Sequence, residues 1–263
     1  MKKILCLIIL SCVSFIPLFS AGAEKGDSWR PLLQSAEMHF RQGIEGDQNE
    51  LMYALQDYQG AMKEGAPEDY RIFYNWANTL LLTGSRGRAA SLYRKVLFFK
   101  PGHSNAAKNL NLIEKDNPIE TENQGVVKVV LFGILYLIGY EPSLYLGLFL
   151  FVLSWGILIS DLFLKKKRMI TLFAVLLSLS LWDLSLCLVW NQSAAQSGVV
   201  ITEQTVLKKG DSRAYESVHS FGLPAGTPFK LLEEREGWIL VRLMDSSEGW
   251  IERTDIKMVL EDY

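Results

Sequence analysis

The chain has 263 residues, with 27 Lys and Arg against 29 Asp and Glu, for a net charge of −2. That balance offers no bulk electrostatic case for nucleic acid as a partner. Hydrophobic residues make up 49% of the sequence, but they are concentrated in a few long runs. Setting those runs aside leaves about 100 residues before them and about 70 after, each enough for one small domain.

The N-terminus reads as an export signal. Lys2 and Lys3 form a basic start, Ile4–Phe19 is mostly apolar, and Ala21-Gly22-Ala23 is a small-x-small cleavage site, which bounds the signal at residues 1–23. An uncleaved anchor would leave the topology unchanged. Cys6 and Cys12 fall in this signal and Cys187 in a later apolar run. The flanking soluble pieces therefore have no cysteine for a disulfide, a zinc site or a thiol nucleophile.

Residues 24–117 have a helical pattern. Phe73, Trp76, Ala77 and Leu80 recur at helical spacing, as do Ala89, Leu92, Tyr93 and Val96. Gly84-Ser85 separates the two helices and Pro101 ends the second. The run Phe73-Tyr74-Asn75-Trp76-Ala77-Asn78, followed by Gly84, Ala89, Tyr93, Val96 and Pro101, resembles a tetratricopeptide repeat. Ala36, Phe40 and Gly43, then Ala54, Tyr58 and Ala61, resemble the halves of an earlier repeat, with an insertion near Ile44–Asn49. Residues 105–115 read as a closing helix. One to two repeats is short of the three or so that stand alone, so this piece is expected to lean on a partner or on the membrane surface. Arg86, Arg88, Arg94 and Lys95 make a basic cluster, read as a solvated face or as a contact for an acidic partner or phospholipid.

Residues 118–142 hold a polar linker and then the apolar run Val126–Tyr140, which is short for a span and reads as an interfacial helix. Two longer apolar runs follow, residues 143–164 and 169–190, joined by Lys165, Lys166, Lys167 and Arg168. About 20 apolar residues suffice to cross a bilayer core of roughly 30 Å, so the pair reads as a transmembrane hairpin. Cations in short loops stay in the cytoplasm, which puts both soluble pieces on the opposite, periplasmic or extracellular, side of the cytoplasmic membrane. A third span at Val126–Tyr140 would reverse that rule. Asp183 lies well inside a span. It is expected to make an intramembrane polar contact, within the hairpin or with another membrane subunit. Gly156 and Ser160 form a small-xxx-small pair that permits close helix approach.

After a linker at residues 191–198, residues 199–263 turn β-rich. Val199-Val200-Ile201, Thr205-Val206-Leu207, Phe229–Leu232, Trp238–Leu243 and Gly249-Trp250-Ile251 are short strand-like runs between turn signals. About five strands in roughly 60 residues suggest a small barrel. The order of these runs, with the pairs Gly237-Trp238 and Gly249-Trp250, resembles a bacterial SH3-like domain. Asp211 stands where that family usually has Pro. The resemblance implies binding of peptides or peptidoglycan stems on an aromatic groove, for which Tyr215, Phe221, Trp238 and Trp250 are the candidates. Both tryptophans could instead be core.

The fold class expected is thus a multi-domain membrane protein: all-α tetratricopeptide-like helical hairpins, a transmembrane helical hairpin and a small all-β SH3-like barrel. This order of parts resembles the E-type protein of the bacterial aerotolerance (Bat) operon. The resemblance implies work beside membrane proteins carrying von Willebrand A domains and beside a cytoplasmic MoxR-type ATPase. His39, His103 and His219 are scattered, and no hydrolase, zinc-protease or phosphate-loop motif is present. The expectation is a non-enzymatic scaffold without cofactor or metal, tied to stress or aerotolerance. A peptidoglycan-binding protein is the alternative.

Overall fold

The computed structural model describes residues 27–115, 117, 119, 132–164 and 169–261. The expected signal at 1–23, most of the linker and the basic turn at 165–168 lie outside them.

Five helices form the head: α1 (Trp29–Ile44), α2 (Gln48–Lys63), α3 (Tyr70–Leu82), α4 (Arg86–Phe99) and α5 (Ser104–Glu114). Side chains cap three of them, satisfying backbone donors that the helix itself leaves open. Asp47 accepts from Asn49 N at 3.0 Å, Asp69 from Arg71 N at 2.8 Å and His103 Nδ1 from Ala106 N at 3.1 Å. Gly84, at φ 83°, turns the chain between α3 and α4. The insertion expected near Ile44–Asn49 is absorbed into helix: only Glu45, Gly46 and Asp47 separate α1 from α2. The head core stacks Tyr58 on Trp76 and Phe73 on Phe99, with Ala77 and Ala89 letting helices close.

A short helix, α6 (Gly133–Ile138), leads through Gly139 into α7 (Tyr140–Leu164), and α8 (Ile170–Ala195) returns beside it. Among the described residues these two helices are long and apolar enough to cross a membrane, over Tyr140–Asp161 and Ile170–Ala195. Within the described part of the expected interfacial run, 132–140, six residues form a helix packed on the end of the hairpin. Phe132 and Leu135 bury against Cys187, with Tyr136 and Trp190 beside them.

The last part is an antiparallel sheet of five strands: β1 (Ser197–Val200), β2 (Pro228–Arg235), β3 (Trp238–Leu243), β4 (Glu248–Glu252) and β5 (Ile256–Met258), in the order β4-β3-β2-β1-β5. Ile239, Val241 and Leu243 of β3 face the core with Phe229, Ile251 and Ile256, as period-two alternation requires. Two expectations fail here. Thr205-Val206-Leu207 is not a strand. Thr205 and Lys208 make only isolated bridges to Leu223, Ser217 and Trp250, because the segment lies in a turn-rich loop. β5 was not expected, although Ile256-Lys257-Met258-Val259-Leu260 is mostly apolar, because only three residues pair and they follow directly on a 3-10 turn.

The linker expected at 191–198 is also absent. α8 continues through Ala195, and Gln196 alone separates it from β1. Asn191–Ala195 contains neither Gly nor Pro, so nothing breaks the helix where the apolar run ends. At 1.5 Å per residue α8 is about 39 Å long, longer than a bilayer core of about 30 Å.

Candidate functional site

The three parts meet at α4. This helix touches α3, α5, β1, β5, α7 and α8. Val199 of β1 belongs to the head core, and Ile119, from the head side, belongs to the sheet core. Asn117 Nδ2 donates to Thr227 Oγ1 at 3.0 Å, and Trp190 Nε1 donates to the Phe98 carbonyl at 3.0 Å. At Gly87 the approach is so close that a Cβ would stand 2.6 Å from Ile201 Cα and 2.8 Å from the Val200 carbonyl oxygen. Head and sheet are therefore fused through shared cores, and the hairpin docks on α4 through Trp190 and the Phe98–Tyr140 ring contact. The support that the short head was expected to need comes from this chain.

A cleft of about 580 Å³ opens at this meeting point. Phe98, Tyr136, Val189 and Trp190 line it near the end of the hairpin, and Arg94, Asn111 and Glu114 line it on the head. Arg94 pairs with Glu114, whose side chain is only 6% exposed, while Arg94 Nε is buried without a hydrogen-bond partner.

The basic cluster is not a solvated face. Lys95 is 1% exposed, with Nζ 2.5 Å from Glu68 and 4.7 Å from the centre of the Phe73 ring. Arg86 donates to the Ile113 carbonyl at 3.4 Å, Arg94 turns to Glu114, and Arg88 is exposed. The reason is tertiary: α5 and the segment before α3 bring Glu114 and Glu68 to a helix that has no carboxylate of its own.

On the sheet, Trp238, Leu240 and Trp250 lie on the outward face, opposite Ile239, Val241 and Ile251, with Trp250 paired across strands with Leu240. Trp250 is nonetheless 7% exposed, because Arg235 lies over its ring at 4.9 Å and Lys208 pairs with its backbone. Trp238 is half-buried, and Tyr215 is exposed over Gly210 in the neighbouring loop. Glu252, opposite Trp238, is bonded by Arg213, which holds its carboxyl below the usual range. Phe221 stands apart, stacked on His219, whose Nε2 meets Ser247 Oγ at 3.0 Å. The four aromatics do not form one groove.

Asp183 is 3% exposed on the seam between α7 and α8. Ser143 Oγ donates to its Oδ1 at 2.8 Å, and its Oδ2 has no hydrogen-bond partner. Ser180 Oγ donates to the Gly147 carbonyl at 2.9 Å one turn further along. Gly156 has open space where a Cβ would stand, so no close helix contact forms there. Among the described residues no group of three His, Cys, Asp or Glu is placed to hold a metal ion.

The cleft escaped the sequence reading. Trp190 and Tyr136 carried its only signal, as aromatics flanking apolar runs, whereas the Arg94–Glu114 pair spans 20 residues and has none. No family model matches the chain, and neither a curated protein nor a solved structure matches it.

Proposed function

We propose that the chain is a non-enzymatic scaffold, anchored by α7 and α8 in the cytoplasmic membrane, that holds two protein-binding modules at fixed orientation on the outer side. In this reading α1–α5 are tetratricopeptide-like hairpins and the sheet is an SH3-like barrel. The partners are membrane proteins of one complex, of the von Willebrand A-domain type that the Bat-operon resemblance implies, acting in stress or aerotolerance.

The observation that carries this reading is the fusion at α4, together with the single residue between α8 and β1. A tethered enzyme or a diffusing binder has no need of a head locked to its spans. A scaffold that sets the geometry between membrane partners does. The cations at 165–168 supply the orientation by the charge rule.

The test is a pull-down from native membranes in mild detergent with the full-length protein. Deleting the head would open the cores it shares with the sheet, so surface variants serve instead: Arg88→Glu on the head and Trp238→Ala on the sheet. Loss of a defined set of membrane proteins with either variant supports the scaffold. An identical set with both sinks these two surfaces as docking elements. The outward Trp238 also favours a second reading, peptidoglycan binding. Sedimentation of the detergent-solubilised full chain with purified peptidoglycan, abolished by Trp238→Ala, would replace the scaffold with that reading.

A further inference from the structure

We infer that the cleft between α4, α5, α6 and the end of α8 is a binding site for one phospholipid of the outer leaflet, with a headgroup carrying both a phosphate and a primary ammonium. The inference rests on the reading of α7 and α8 as a bilayer-spanning hairpin and goes beyond the scaffold role.

Three observations converge on this occupant. The first is position. Val189 and Trp190, at the end of the apolar stretch of α8, form one wall, and Tyr136 of α6 stands beside them. In a spanning hairpin these residues lie where glycerol and headgroups begin, and aromatic rings favour that level. The second is the polarity gradient. The wall near the span is apolar and aromatic, and the far wall carries Arg94, Asn111 and Glu114. A lipid has the same gradient in the same direction. The third is charge. Arg94 pairs with Glu114 through one end of its guanidinium, yet its side chain remains 23% exposed where it lines the cleft. A phosphate oxygen pairs with a guanidinium left accessible in this way. The site is not simply cationic, because Glu114 is buried on the same wall. An anionic headgroup would face that carboxylate, whereas an ammonium would pair with it. At about 580 Å³ the cleft is within the usual range for small-ligand sites and fits a headgroup with the upper part of its chains.

The experiment is native mass spectrometry of the full-length protein released from detergent micelles, after titration with phosphatidylethanolamine, phosphatidylcholine or phosphatidylglycerol. The expected result is one phosphatidylethanolamine that survives the collision energy removing all other lipid. Phosphatidylcholine, whose quaternary ammonium donates no hydrogen bond to Glu114, and phosphatidylglycerol are expected to bind more weakly. Arg94→Gln should weaken retention about tenfold, the factor that one charge-assisted hydrogen bond carries. Since that variant also disturbs the Glu114 pair, Ser193→Trp provides a second route. Ser193 is exposed on α8 and lines the cleft, so the indole fills the cleft without entering a core. Retention lost in Ser193→Trp with unchanged melting supports the site. Retention equal to wild type in Ser193→Trp, no retained lipid, or equal retention of phosphatidylglycerol overturns it. Carbonate washing of membranes separates the two readings. Protein that stays in the pellet but retains no lipid overturns the lipid site alone, and protein that is released overturns the spanning hairpin beneath it.

Discussion

α4 and α8 reverse the usual relation between composition and burial. α4 carries Arg86, Arg88, Arg94 and Lys95 among fourteen residues, yet ten of the fourteen are buried. α8 is apolar through most of its 26 residues, yet the residues it buries are Ser180, Asp183 and Cys187. In α4 the driving force is removal of apolar surface from water, and Lys95 and Arg94 are carried in and paired with Glu68 and Glu114 while Arg88 stays exposed. In a hairpin surrounded by lipid no such force acts between helices, so polar and small residues make the contact instead. In a bilayer, the exposed Leu188 and Trp182 on α8 would face hydrocarbon and need no protein partner.

The same substitution in the two helices sharpens this contrast most. Leu92 in α4 is 0% exposed and Leu188 in α8 is 70% exposed. Leu92→Ala should destabilise the protein by about 2–5 kcal/mol. Leu188→Ala should shift stability by less than about 0.5 kcal/mol. Thermal unfolding followed by circular dichroism in one detergent compares them directly, and equal losses would break the contrast.

Gly87→Ala ranks second. The added methyl meets backbone rather than a side chain, so the sheet must move away from α4. Overpacking of this kind costs about 1–3 kcal/mol. It should also raise hydrogen exchange at β1 and α4 together, whereas loosely tethered domains would show no such coupling. Ser143→Ala follows, with a loss of about 1 kcal/mol, the scale of an interhelical hydrogen bond in a membrane. Unfolding in a detergent titration measures it. No loss at all would mean that the Asp183 seam does not hold the hairpin.

The smallest effect is pH-dependent. His103 caps α5 as a neutral acceptor, and burial, with Lys100 adding to it, holds its pKa below the ordinary value. On acidification the unfolded chain takes up the proton first. The stability this group contributes is full above about pH 6.5 and is lost as pH falls through the lowered folded value. Melting temperature should therefore fall between about pH 7 and pH 5, and His103→Asn, which keeps a cap, should flatten that slope.

Much of the fold was legible because local pattern specified it. The helical spacing at Phe73–Leu80 and Ala89–Val96, and the turn at Gly84, match α3 and α4. β3 and β4 lie where the two Gly-Trp pairs put them. The misreadings share one cause. Thr205–Leu207 has strand composition but no continuous partner strand, β5 is recognisable only by its pairing with β1 far back in sequence, and the basic cluster appeared solvated because Glu68 and Glu114 are distant in sequence.

The sequence by itself determined the two long apolar helices, the helical hairpins before them and the β-rich segment after them. Each follows from periodicity and hydropathy within a window of one element. Only the tertiary structure decided that Arg94 meets Glu114, that Trp250 hides beneath Arg235, that Asp183 faces Ser143, and that head and sheet share cores at α4 while the hairpin packs against it. Those contacts join residues tens of positions apart. Which distant residue covers a given side chain depends on how whole elements pack, and no local pattern encodes that.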